Sequence, residues 1–187
     1  MLVALPDHIP VGCPARVRDP EELRKRADEE PRVYRDTYYD RADGSFTGRG
    51  RELRVRVVEQ GGTCQTILTY KEPAVDEASG SKPEHETKVA DAAVIDTVLR
   101  ALGAIEYVRL TKDCANYRFN AHGRDMLATM VTVPELDGTF VELETLAIEA
   151  DLSEALGAVR AVLAELGITD ADLTTEQYTD AVLNARA

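Results

Sequence analysis

The clearest signal along the chain is alternation. Leu53-Arg54-Val55-Arg56-Val57 puts apolar residues on one face and both arginines on the other, the period-two pattern of a strand. Gln60-Gly61-Gly62-Thr63 supplies a turn, and Gln65–Lys71 is the hairpin partner. Val33–Arg41, rich in aromatic and β-branched residues, reads as another strand, as does Pro83–Val89, where Glu84, Glu86 and Lys88 share a face. Four further strand-like runs are Ile105–Thr111, Ala115–Asn120, Met126–Val133 and Thr139–Ile148, with His122-Gly123 and Asp137-Gly138 as turns.

Helical patterning is confined to four places. Asp19-Pro20-Glu21-Glu22 before Leu23 has the chemistry of a helix start, and that helix is expected to end near Ala27–Glu30. Asp91–Leu102 is closed by Gly103, Ser153–Leu166 ends at Gly167, and Thr174–Ala187 is the last. Residues 72–82 form a polar loop. Eight or nine strands with so few helices predict an α+β fold whose sheet closes on itself, with flanking helices. One domain over 1–187 is expected, with C-terminal helices in 152–187.

The 187 residues carry a net charge of −12, and the imbalance is local: residues 135–187 hold 12 acidic and 2 basic side chains. A phosphate backbone repels such a surface, so nucleic acid is not an expected partner. No run approaches the roughly 20 apolar residues of a membrane span, and the N-terminus lacks the pattern of a signal peptide, so a soluble cytoplasmic protein is expected. Cys13, Cys64 and Cys114 are too scattered for a zinc or redox motif. A homodimer is a further expectation.

Charge on strands is the candidate chemistry. Arg54 and Arg56, Glu84 and Glu86, and Glu142 and Glu144 are three same-face pairs, and Lys71, Lys82 and Lys112 lie near strand ends. Any one pair alone fits the solvated face of an open sheet. Inside a barrel, the same set suits a polyphosphate: the bases meet phosphate oxygens and the carboxylates take Mg²⁺ or Mn²⁺.

From Tyr34 to Tyr178 the chain resembles the CYTH (triphosphate tunnel) superfamily, which includes class IV adenylate cyclases, thiamine triphosphatases and inorganic triphosphatases. The resemblance rests on Asp36-Thr37-Tyr38-Tyr39-Asp40, Glu52-Leu53-Arg54-Val55-Arg56, Leu68-Thr69-Tyr70-Lys71, Lys82-Pro83-Glu84-His85-Glu86-Thr87, Phe140-Val141-Glu142-Leu143-Glu144 and Gln177-Tyr178-Thr179-Asp180. It implies an eight-stranded antiparallel closed β-barrel, a tunnel in which Arg54, Arg56, Lys71, Lys82 and Lys112 contact phosphates. It also implies that Glu142 and Glu144 form a weak metal side and that Glu84 and Glu86 are further lumen carboxylates. The family's opening E-x-E-x-K strand, which supplies metal-ligand carboxylates and a lysine, aligns on Pro10, Gly12 and Pro14, so an irregular first strand is expected in 1–18, where the two prolines oppose a ladder. In K-x-R-x-x-Y the arginine has become Cys114, and the acidic residue before the final E-x-E corresponds to Val131 or Thr132.

These departures strip metal ligands from one wall. The expectation is a divergent tunnel that binds an anionic, phosphorylated small molecule, with Glu84, Glu86, Glu142 and Glu144 as general acid–base groups in place of two-metal catalysis. The alternatives are a metal-dependent adenylate cyclase or organic triphosphatase using Mg²⁺ or Mn²⁺, and a non-catalytic regulator that binds a phosphorylated metabolite.

Overall fold

The computed structural model describes residues 9–17, 21–76, 80–174 and 176–187. Among these, eight strands form one antiparallel sheet: β1 (Ile9–Val17), β2 (Glu30–Arg41), β3 (Glu52–Gln60), β4 (Thr63–Lys71), β5 (Glu84–Val89), β6 (Ala104–Ala121), β7 (Arg124–Thr132) and β8 (Thr139–Ala147). The order is β1-β8-β7-β6-β2-β3-β4-β5, so the sheet curls with β1 and β5 as its two edges. The helices are α1 (Glu21–Arg24), α2 (Ala92–Ala101), α3 (Leu152–Glu165) and α4 (Tyr178–Arg186).

Several expectations change here. The runs at 105–111 and 115–120 are one 18-residue strand, β6, because Lys112, Asp113 and Cys114 continue the ladder to Tyr34, Val33 and Arg32. The first helix stops at Arg24, and β2 takes in Pro31 at a point where β6 alone is its partner. The helix start expected at Asp19-Pro20 lies outside the described residues.

The expected irregular first strand is instead regular over residues 9–17: β1 pairs with β8 in unbroken register, from Ile9 opposite Ala147 to Val17 opposite Thr139. Strand parity explains how it tolerates two prolines. Pro10, Gly12 and Pro14 alternate in step, so their backbone nitrogens face the same way, and proline is accepted where that side is unpaired. Gly12 shows which way that is: its N–H points off the sheet edge and donates to Ser81 Oγ of the β4–β5 loop at 3.4 Å. The outward carbonyl of Pro14 accepts from the Thr174 N–H at 3.0 Å. A β1–β5 ladder would need those missing N–H groups, and among the described residues no such ladder forms. The curled sheet is therefore open at this seam, where a closed barrel was expected.

Each face of the curl has its own core. On the outside, Val159, Val162 and Leu163 of α3 pack on Ala15, Met126, Ala128, Val141 and Leu143, while Leu99 of α2 packs on Tyr39 and Val55. On the inside, Val58, Ile67, Val131 and Phe140 join Tyr34 and Val182 in one buried cluster spanning both walls. Along the inner faces of β3, β4, β7 and β8 the next residues turn polar: Arg56, Thr69, Thr129 and Glu142. One end of the lumen is thus plugged by apolar side chains and the other is charged. No helix among the described residues is long and apolar enough to cross a membrane.

Candidate functional site

The polar part of the lumen is a cavity of about 210 Å³. Arg54, Arg56, Lys71, Lys82, Lys112, Glu84, Glu86, Glu142 and Glu144 all line it, together with Pro10, Gly12 and Pro14 from β1. Residues far apart in sequence converge there because period-two alternation in a curled sheet sends every second side chain inward.

Asp36 organises the arginines, and it was not among the predicted site residues. It is fully buried and lies directly opposite Arg56 on β3. Arg56 grips it with Nε and Nη2, both at 2.6 Å, and Arg54 Nη1 lies 4.0 Å from Oδ2. Burial alone would raise the Asp36 carboxyl, but the Arg56 guanidinium outweighs it and holds the group well below the usual carboxylate range. Arg56 also stacks over the Tyr34 ring, 4.3 Å from its centroid. Arg54 continues outward: Nη2 donates to Thr69 Oγ1 at 3.2 Å and lies 3.5 Å from Glu86 Oε1.

The three lysines each meet a carboxylate. Lys71 Nζ lies 2.5 Å from Glu84, Lys82 Nζ lies 2.5 Å from Glu52, and Lys112 Nζ lies 3.1 Å from Glu142. Lys112 also sits over the Tyr178 ring, 3.8 Å from the centroid. Burial would raise Glu84 and Glu142, yet Lys71 and Lys112 respectively bring both below the usual range. Glu144 makes no ion pair among the described residues. Its burial, with Glu84 and Glu142 nearby, pushes it up to about 7.

One donor on the cavity wall has no partner among the described residues, Arg54 Nε, on a residue only 5% exposed, whereas the Tyr178 hydroxyl has Glu142 beside it. A buried donor without an acceptor is costly, so this is a place where a bound acceptor would be stabilising.

The donor set does not fit a divalent ion. Among the described residues no three His, Cys, Asp or Glu side chains are arranged to hold one. Pro10, Gly12 and Pro14 contribute no donor side chain, and a Cβ built on Gly12 would lie 2.5 Å from the Leu143 carbonyl oxygen and 3.0 Å from the Glu144 Cβ. Cys114 is buried beside Tyr34, Val131 and Phe140, and burial with Glu142 nearby pushes its thiol up to about 12, far from thiolate chemistry.

A larger cleft of about 640 Å³ lies elsewhere on the sheet, lined by Val33, Glu59, Ala115, Met130 and Thr132 among others. Its arginines are spent locally, Arg24 on Glu29 and Arg32 on Glu30, and none of the predicted site residues reaches it. Of the residues the sequence reading missed, Glu52 carried a readable signal: it extends the alternation of Arg54 and Arg56 by one step. Asp36 and Tyr178 stood in recognisable motifs, but their partners lie 20 and 36 residues away in sequence.

A curled antiparallel sheet with a lumen of alternating bases and carboxylates defines a class of small tunnel folds. The CYTH domain profile matches residues 15–178, and the chain belongs to the CYTH domain family. Among solved structures it is similar to a Pyrococcus horikoshii OT3 protein, 26% identical over 94% of this chain and 98% of that one, with a TM-score of 0.84. A putative adenylate cyclase from Vibrio parahaemolyticus is 17% identical over 94% and 98%, TM-score 0.76. A putative adenylyl cyclase from Hippeastrum, described as having a dominant triphosphatase activity, is 14% identical over 95% and 95%, TM-score 0.65. No curated protein matches the sequence.

Proposed function

We propose that this protein binds a compact anionic, phosphorylated small molecule in the charged half of the lumen, with Arg54, Arg56, Lys71, Lys82 and Lys112 as its phosphate-facing groups. The observation that carries the reading is the convergence of these five cations on one cavity, whose wall also carries an unpartnered buried donor, Arg54 Nε. Arg54 Nε would gain an acceptor from a phosphate oxygen. At about 210 Å³ the cavity is smaller than the roughly 300–1,000 Å³ of sites for drug-sized ligands. Glu84, Glu86, Glu142 and Glu144 are close enough to such a ligand to exchange protons with it, so the chemistry assigned to them is general acid–base catalysis.

The test is calorimetric titration of tripolyphosphate into the full chain and into Lys71→Ala, with turnover of ATP, thiamine triphosphate and tripolyphosphate measured in parallel. Saturable binding, weakened about tenfold or more in Lys71→Ala, is the expected result. No binding would overturn the phosphate reading, and binding without turnover would make the protein a phosphate-responsive regulator. A second reading is a metal-dependent cyclase or triphosphatase, favoured by the descriptions of the Vibrio and Hippeastrum neighbours. Turnover that requires Mg²⁺ or Mn²⁺ and is lost in Glu142→Ala/Glu144→Ala would establish it instead.

A further inference from the structure

We propose that the lumen takes up its anion without a divalent ion, because the ammonium groups of Lys112 and Lys71 already occupy the faces of Glu142 and Glu84 that a metal would need. The inference rests on the phosphate-binding reading above and deepens it.

The argument begins with what each carboxylate is already doing. A divalent ion in an all-oxygen site needs several ionised oxygens turned toward one point. Here Glu142 and Glu84 each face a lysine nitrogen, at 3.1 and 2.5 Å, and Glu52 faces Lys82. Capturing a metal would mean separating part-buried ammonium–carboxylate pairs. Lys112, so displaced, would be left charged in a buried place, the situation in which breaking an ion pair is most costly. Lys112 is the most firmly held of the three: it is 4% exposed and lies over the Tyr178 ring.

The opposite wall removes the alternative. Pro10, Gly12 and Pro14 line the cavity from β1 without a single side-chain donor, and the Leu143 carbonyl oxygen stands where a side chain at position 12 would begin. Position 12, paired with β8, therefore has no room for a ligand side chain.

What the cavity does offer an anion is a set of donors needing no metal to bridge them. Arg54 Nε lacks a partner among the described residues, and an ammonium shared with a carboxylate still has hydrogens to donate. Lys112 links the two roles, since it neutralises Glu142 and lies beside Tyr178. A phosphate arriving at Tyr178 therefore meets a fixed positive charge already in place.

The experiment is a calorimetric titration of tripolyphosphate into the full wild-type chain, once with EDTA and once with excess Mg²⁺ or Mn²⁺. The expected result is an affinity in EDTA equal to or tighter than that with metal, because metal then only competes for the probe in solution. Binding that needs the metal, or is tightened by it, would overturn the inference while leaving the phosphate reading standing. Absence of binding under both conditions would overturn the phosphate reading, and the inference with it. Mn²⁺ alone, titrated into the wild type, is expected to give no saturable heat, and saturable binding that disappears in Glu142→Ala would count against the proposal. In EDTA, Lys112→Gln is expected to lose about tenfold or more in affinity and Lys112→Arg to stay nearer the wild type. Equal affinity in Lys112→Gln and wild type would overturn the role given to Lys112.

Discussion

On the β2–β3–β4 wall of the lumen, charge is concentrated and matched: Asp36 is gripped by Arg56 and flanked by Arg54, Thr69 links Arg54 to Glu86, and Lys71 meets Glu84. On the β1–β8 wall, two glutamates on β8 face a strand whose inward positions are Pro10, Gly12 and Pro14. The first wall lies inside the sheet, where every strand has two neighbours and each inward side chain finds a cross-strand partner at a fixed register. The second includes a sheet edge, which tolerates proline and glycine. The comparison teaches where this chain was free to change: a charged network in the sheet interior is costly to dismantle, whereas an edge strand can shed its side-chain chemistry and keep its ladder.

The sharpest way to break that contrast is Asp36→Ala. Removing the carboxylate leaves two buried guanidinium groups without their shared counter-ion, a loss of about 3–5 kcal/mol, read as a lowered urea midpoint. A loss no greater than that of a surface substitution would mean the arginine wall is solvated and loosely held. Gly12→Glu is the corresponding change on the edge wall. With a Cβ 2.5 Å from the Leu143 oxygen, it is expected to cost about 1–3 kcal/mol and to leave Mn²⁺ binding absent in a direct titration. Unchanged stability would show that β1 and β8 can separate to admit a side chain.

The smallest effect concerns Glu144, and its sign follows from the raised pKa. The folded protein holds this proton up to about pH 7, while in the unfolded chain the carboxyl ionises near its ordinary value of 4.5. Between those values the native state binds more protons, so the contribution of Glu144 to stability falls as pH rises. The penalty is full above about pH 7 and absent below about pH 4.5. Glu144→Gln is therefore expected to match the wild type near pH 4 and to exceed it at pH 8 by about 1 kcal/mol, or about 2–4 °C in Tm. An equal difference at both pH values would mean the effect is packing rather than charge.

Much of this arrangement was legible in advance, for an identifiable reason. Alternation is a local property, and in Arg54/Arg56, Glu84/Glu86 and Glu142/Glu144 it marks same-face pairs without knowledge of neighbouring strands. Where the reading failed, the deciding fact was not local. The stretch Lys112-Asp113-Cys114 looks like a break between two strands, but its pairing with β2 carries β6 straight through. Asp36 lies 20 residues from Arg56 in sequence, and it stands opposite that residue because of a register set over the whole β2–β3 hairpin.

By itself, then, the sequence determined the strand-rich α+β class, the faces on which charges fall and the loss of side-chain donors at positions 10, 12 and 14. Tertiary structure alone decided that β1 is an edge, and so that its prolines are compatible with a regular ladder. It also decided that the seam to β5 stays open and that each lumen lysine has a carboxylate to neutralise. The physical reason is that backbone conformation and side-chain alternation are set within a few residues, whereas edge position and ion pairing depend on which strands lie side by side.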